Sequence, residues 1–432
     1  MKKFIGLIVF CLIFNNFVYA QRAETVLTVL YYLDALNPTA VADANLWFRT
    51  FERNNPGVRI IRENLFGEVY HDKLRVYAAA GNLPDVIYVW PSGRHDYLHE
   101  HRLLKDLTPF IERDGIRNQF IPMAMDTSQQ HAGYMAMIPL GVTSSHAFYT
   151  NMEVLNAVGL QPARSYAELV AQVPVLTAAG YETIIIPAES TWVMQSCLFS
   201  MIAGRFCGPD WQERILTGKA KFTDNDFVAA FDFIRRMYAD RVISLANIGV
   251  SYGDGPGMFA GNRSAYYIDG DWRVSDLITA MDTSRQENFR IGVFPDIPGA
   301  RINSSTSAVI SSGFAMNASI PSGSERERLA WELIKWMVSN EVSTLRTERG
   351  NTPTPSRRDL NFEAMNLSPL QRAAANLGNE IQAATVIFDV VFPSEVFERV
   401  HDGLIDLAVG RRTAMQVAAD IQRTFDNYNR RR

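Results

Sequence analysis

The chain has 432 residues, 47% of them hydrophobic and 20% charged, with 42 lysines and arginines against 46 aspartates and glutamates. This composition excludes a disordered polar tail, a collagen-like repeat and a disulfide-stapled miniprotein, and the length suits two lobes that each bury a core. The formal net charge of -4 also argues against a nucleic-acid binder, which presents a basic face.

Lys2 and Lys3 precede an apolar run from Phe4 to Phe14, and Val18-Tyr19-Ala20 offers compact residues ahead of Gln21. This is the pattern of a cleaved secretory signal over residues 1–20, with an apolar run too short for a bilayer span of about 20 residues. Cleavage there removes two lysines and no acid, leaving 40 basic against 46 acidic side chains, a charge of -6. Lipid attachment at Cys11 is not favoured, because Phe10 precedes it and the apolar run continues beyond it. The expected location is periplasmic or extracellular. Of the remaining cysteines, Cys197 and Cys207 can bridge only if Gly204 ends their helix, since one continuous helix holds them roughly 15 Å apart. The sequence leaves bridge and free thiols equally open.

Strands and helices alternate along the mature chain. Residues 26–30 (VLTVL) form a strand, 42–54 a helix with Leu46, Trp47 and Phe51 at helical spacing, and 58–61 a second strand beyond the Asn55-Pro56-Gly57 stop. A helix over 70–80 and the apolar strand 85–89 (DVIYV) complete a β-α-β-α-β run. Such strands imply a parallel sheet covered on both faces, hence an α/β class. Further strands are expected at 147–150, 184–187, 264–269, 291–294 and within 307–316, with helices at 165–179, 191–203, 227–240, 328–339, 369–379 and 413–427. Trp211, Trp331 and Trp336 sit at core spacing on helices.

Several segments together resemble a known family. They are FERNNPGV (51–58), YHDKLRVYAAAGNLPDV (70–86), MIPLGVTSSHAFYTN (137–151), GLQPARSYAEL (159–169) and GNRSAYYIDGDW (261–272), followed by Gly292 to Pro298 and a helix with Ala330, Trp331, Trp336 and Met337. In this order and spacing they resemble the extracellular solute-binding proteins of family 1, the carbohydrate-type receptors of bacterial ABC importers that include maltose-binding protein. Tyr166 replaces the usual tryptophan, and Arg263 a common lysine. The resemblance implies a two-lobed periplasmic binding protein type II fold, each lobe a mixed sheet flanked by helices, with three hinge crossings near 139–145, 307–313 and 350–356. One lobe would hold residues 21–140 and about 311–353, the other about 144–308 and 356–432. It implies a monomeric non-enzyme that takes a mono- or oligosaccharide between its lobes and hands it to permease subunits, with no cofactor and no metal.

A sugar offers apolar C–H faces and a rim of hydroxyls, so its site needs aromatic platforms and planar hydrogen-bonding groups. In an α/β sheet these belong beyond the carboxyl ends of strands. That rule selects Tyr32 and Asp34 after the first strand, Trp90 and Arg94 after DVIYV, Ser144 in the first crossing, Glu189 and Trp192 after 184–187, Asp271 and Trp272 after 264–269, and Ser305 before a late strand. Trp272 matches the family tryptophan that stacks on sugar, and Trp90 resembles another one residue out of register. For each tryptophan the competing role is core packing. Asp85 reads as structural. His95, His99 and His101 read as a solvated helix face rather than a metal site. Asp269 and Asp271 alternate on one strand, which points them to opposite faces and weakens a glycosidase pair. Other readings of the same fold are a receptor for a polyamine or phosphorylated polyol, or a secreted glycan-active enzyme.

Overall fold

In the computed structural model, residues 24–130, 132–377, 381 and 383–431 are described. The expected signal segment and Cys11 lie outside them. In chain order the strands are β1 (Thr25–Tyr32), β2 (Val58–Leu65), β3 (Val86–Val89), β4 (Met137–Pro139), β5 (Gly141–Thr143), β6 (Ala147–Asn151), β7 (Glu182–Ile185), β8 (Ser264–Asp269), β9 (Phe289–Gly292), β10 (Ser305–Ser307), β11 (Val309–Ile310), β12 (Gly313–Met316), β13 (Thr354–Pro355) and β14 (Ala383–Thr385).

The first lobe is built on the sheet β2-β1-β3-β12-β4, with β1 parallel to both β2 and β3, and β12 antiparallel to β3 and β4. Alternation along β1 sends Leu27, Val29 and Tyr31 into a core with Trp47 and Phe51, and Leu30 into a second core with Tyr70 and Leu74. Both faces are therefore covered, as continuous apolar strands require. The outermost strand, β2, carries Arg59, Arg62 and Glu63 among half-exposed positions, charges suited to an unpaired edge. The first helix starts at Pro38, earlier than periodicity alone indicates, because Asn37 caps it by accepting from the Ala40 amide.

Asp85 ties this lobe together and does not line its cleft. One carboxylate oxygen accepts from the Thr28 amide (2.8 Å) and hydroxyl (3.0 Å), and Arg326 from a late helix reaches the other at 2.7 Å.

The second lobe is built on β7-β8-β6-β9. Its core joins Phe199, Trp211 and Phe231 to Phe388, Phe392 and Phe425 from the C-terminal stretch, so each lobe is discontinuous in sequence. Trp211 and Trp331 are fully buried. The helix expected over 191–203 runs to Cys207, with a π segment at Met194–Phe199. Gly208, not Gly204, ends it, so Cys197 and Cys207 stay apart as buried free thiols.

Between the lobes lies a three-stranded sheet, β11-β5-β13. Each strand belongs to one chain crossing, and the central β5 pairs antiparallel with the other two. The stretch 307–316 thus divides among three sheets. The chain stays on the first lobe a little beyond the third crossing, where the Ile121 amide donates to Ser356 O and the Arg358 amide to Gln119 O. At Gly141 a Cβ would lie 2.3 Å from Thr354 O. Gly141→Ala should therefore force β5 and β13 apart and cost about 1–3 kcal/mol, the range for overpacking. An unchanged urea midpoint would contradict this.

Candidate functional site

A cleft of about 660 Å³ opens between the lobes above the three-stranded sheet. Its first wall is made by loops at the carboxyl ends of β1, β2 and β3, which carry Tyr32 and Asp34, Phe66, and Trp90 and Arg94. Tyr32 meets Trp90 edge to face at 4.9 Å and Phe66 at a tilt, with centroids 5.0 Å apart. Burial pushes the Tyr32 phenol well above its ordinary range and that of Tyr88 up to about 12. Both are neutral hydroxyls at any physiological pH. Arg94 Nη1 donates to Glu68 at 3.0 Å, and Asp34 accepts from the Leu36 amide at 2.8 Å.

Beneath Trp90 two histidines form a relay. The Trp90 amide donates to His95 Nδ1 (3.2 Å), so that nitrogen must carry a lone pair. Burial holds His95 and His71 well below the usual histidine range, so each ring carries one proton. That of His95 sits on Nε2 and is donated to His71 Nδ1 at 3.1 Å, which leaves His71, a cleft residue, with its proton on Nε2. The expectation of a solvated histidine face is thereby corrected at His95, which is 1% exposed because the Trp90 amide draws it inward.

The second wall follows β8. Trp272 lies over Gly270, where a Cβ would come within 2.2 Å of the indole. Trp272 Nε1 donates to Tyr252 Oη at 2.8 Å, and Trp192 packs edge to face on Tyr252 at 4.9 Å. Arg273 places its guanidinium carbon 3.5 Å from the centre of the same ring. It is fixed there by Asp269 (2.9 Å) and Asp276 (2.7 Å). Asp269 also accepts from Tyr267 Oη and the Gly270 amide, is fully buried, and supports the wall without lining it. The carboxylate pair weighed for glycosidase chemistry does not face one space.

Asp271 does line the cleft, and it reaches across to the first crossing. Its carboxylate accepts from Thr143 Oγ1 (2.6 Å) and the Ser144 amide (3.0 Å). Burial raises its pKa to about 7, opposed by these hydrogen bonds. Because the folded value lies above the unfolded one, the contribution to stability is fully present below pH 4 and is lost as pH rises through 7. Relative to Asp271→Asn, the protein should lose stability from pH 5 to pH 8 with a slope of at most about 1.4 kcal/mol per pH unit. Urea unfolding at both pH values measures this, and parallel profiles would refute it.

Seven of the ten residues selected from sequence line the cleft together: Tyr32, Asp34, Trp90, Arg94, Trp192, Asp271 and Trp272. Ser144 lies behind Asp271, its hydroxyl bonded to Thr306. Ser305 is fully buried in β10, paired with Ala383 of β14 rather than placed on a loop. Glu189 is exposed and outside the lining, because the chain there is held by hydrogen bonds from the Ala188 amide to Asn247 O and the Glu189 amide to Val250 O. Phe66, His71, Tyr252, Asp389 and Arg346 line the cleft without having been expected. Phe66 obeys the strand-end rule; Tyr252 and Arg346 come from a loop between helices and from a helix, where that rule is blind. Phe66 and Tyr252 meet across the cleft, nearly parallel with centroids 5.9 Å apart, and Asn37 Nδ2 reaches Asp276 at 3.5 Å.

Two α/β lobes, a three-stranded hinge and an aromatic cleft between them define a bilobed binding protein. The family model described as bacterial extracellular solute-binding protein matches residues 47–359, and the chain belongs to that family. Among solved structures, one from work on xylan utilisation by Caldanaerobius polysaccharolyticus superposes with a TM-score of 0.83 at 17% identity, over 92% of this chain and 99% of that one. A chitin oligosaccharide binding protein gives 0.82 at 19%, over 94% and 98%. The MalE domain from Bdellovibrio bacteriovorus bound to maltotriose gives 0.72 at 18%, over 94% and 100%. These likenesses establish the two-lobed fold. No curated protein matched by sequence.

Proposed function

We propose that the protein is an exported receptor that captures a mono- or oligosaccharide in the interlobe cleft and delivers it to the permease subunits of an ABC importer. The observation that carries this reading is the pair of aromatic walls, Tyr32 and Trp90 facing Trp192, Tyr252 and Trp272, with the carboxylate of Asp271 and the amide and guanidinium groups of Asn37 and Arg94 among them. Aromatic faces take the C–H surface of a pyranose, while planar polar groups take its hydroxyl rim. Structurally similar proteins, a chitin oligosaccharide binding protein, a MalE domain bound to maltotriose and RafE in complex with raffinose, support it. The signal pattern at residues 1–20 supports periplasmic or extracellular delivery.

A thermal-shift screen of sugars followed by calorimetry tests the assignment. At 100 times its dissociation constant a ligand stabilises the folded state by about 2.7 kcal/mol, which raises the melting temperature measurably. A shift with polyamines or phosphorylated polyols and with no sugar would replace the carbohydrate by that solute. Turnover of a glycan would replace the receptor by an enzyme.

A further inference from the structure

Among the described residues three arginines line the cleft, and they are not equivalent. Arg94 is paired with Glu68, and Arg273 with Asp269 and Asp276. Arg346, on the helix Asn340–Glu348 just before the third crossing, has no carboxylate partner among the described residues. It is 5% exposed. Its guanidinium lies over Trp47 with the carbon 4.3 Å from the ring centroid, and Nη2 donates to Tyr31 Oη at 3.1 Å. Nε is buried with no partner. The acid on the same wall, Asp43, is taken by Arg349 at 3.2 Å. A second cation, Arg62, stands over the Tyr31 ring, 5.8 Å from its centroid.

A buried cation without a counter-ion costs several kcal/mol unless something else supplies the negative charge. Of the five N–H groups of Arg346, Tyr31 uses one and Nε is sealed away, which leaves three on the two terminal nitrogens of a residue that lines the cleft. Planar N–H pairs of this kind match a carboxylate edge to edge. None of the acids that line the cleft is paired with Arg346: Glu68 and Asp276 are held by the other two arginines, Asp271 by Thr143 and Ser144, Asp389 by Ser196 Oγ at 2.9 Å, Asp34 by the Leu36 amide and Asp254 by Ser251 Oγ.

We propose that the ligand is an acidic saccharide, a uronic acid or an oligosaccharide containing one, whose carboxylate is received by Arg346. This rests on the carbohydrate reading above and narrows it. A monoanion is favoured over a phosphate ester, because among the described residues one arginine of the cleft lining lacks a carboxylate partner, and the acids around the cleft disfavour a second negative charge on the ligand. His71 adds a donor and no acceptor, which also suits an oxygen-rich ligand.

Calorimetry with glucuronate and galacturonate, as monosaccharides and disaccharides, against the corresponding neutral glucose and galactose sugars and glucose 6-phosphate decides it. The expected result is at least tenfold tighter binding of one uronate than of its neutral counterpart, weakened by salt. Arg346→Gln should bring that uronate to the level of the neutral sugar. Arg346→Lys, which keeps the charge without the fork, should fall between and serves if the glutamine variant does not fold. Equal binding of neutral and acidic forms by the wild-type protein, a preference for the phosphate ester, or a preference that survives Arg346→Gln would overturn the proposal and leave the receptor assignment standing. Absence of binding by every sugar, acidic or neutral, would overturn both.

Discussion

Trp272→Ala should weaken sugar binding by roughly thirty- to a thousandfold, the effect of deleting an aromatic anchor worth about 2–4 kcal/mol at the centre of an interface. The indole is held over Gly270, bonded through Nε1 to Tyr252 and flanked by Trp192 at 6.1 Å. It is only half-buried, so its removal should leave the lobe folded. Calorimetry on the variant, with a melting curve beside it, separates the possibilities. Wild-type affinity would remove Trp272 from the site, and an unfolded variant would make it a core residue. The backbone offers a second check, since Gly270→Ala should displace the same ring and lower affinity in the same direction.

The largest stability effect is expected at Asp269. Asp269→Ala strips Arg273 of a buried partner at 2.9 Å and leaves Tyr267 Oη and the Gly270 amide without an acceptor. Both charges are nearly inaccessible, with side-chain exposures of 0% and 4%. Breaking such a pair from one side typically costs about 3–5 kcal/mol. Urea unfolding should show a loss of that size, and a loss below about 1 kcal/mol would mean that Arg273 is held by Asp276 and Tyr252 alone. Because Arg273 lies against Tyr252, which in turn holds Trp272, any surviving Asp269→Asn protein should also bind sugar more weakly.

The alternation in β1 and the apolar run of β3 expose the sheet to a reader of the sequence, since both report burial directly. Short strands are less legible. β5, β11 and β13 span two or three residues each and owe their pairing to where three crossings meet, which local pattern does not encode. The π segment at Met194–Phe199 is equally silent, its residues being a normal apolar helix run. For the site, strand ends explain Tyr32, Trp90, Asp271 and Trp272. The same rule misplaces Ser305, because β10 starts at that residue and buries it, and Glu189, because hydrogen bonds to Asn247 and Val250 carry that loop away from the cleft. Arg346 becomes visible only when its missing partner is noticed, and a missing partner has no sequence signature.

The three-stranded hinge also bears on how the chain reaches its native state. Val142 of β5 registers with Ile310 and with Thr354, partners separated from it by roughly 170 and 210 residues, and pairing at such separation is slow because loop closure must precede any gain from contact. Each lobe also waits for a distant piece of itself: β12 completes the first sheet, and Phe388, Phe392 and Phe425 complete the second core. The last crossing to be synthesised is therefore the one that lets β5 pair on both sides. When it arrives, the first lobe already has β12 and its core helices, whereas the second core still waits for Phe388, Phe392 and Phe425.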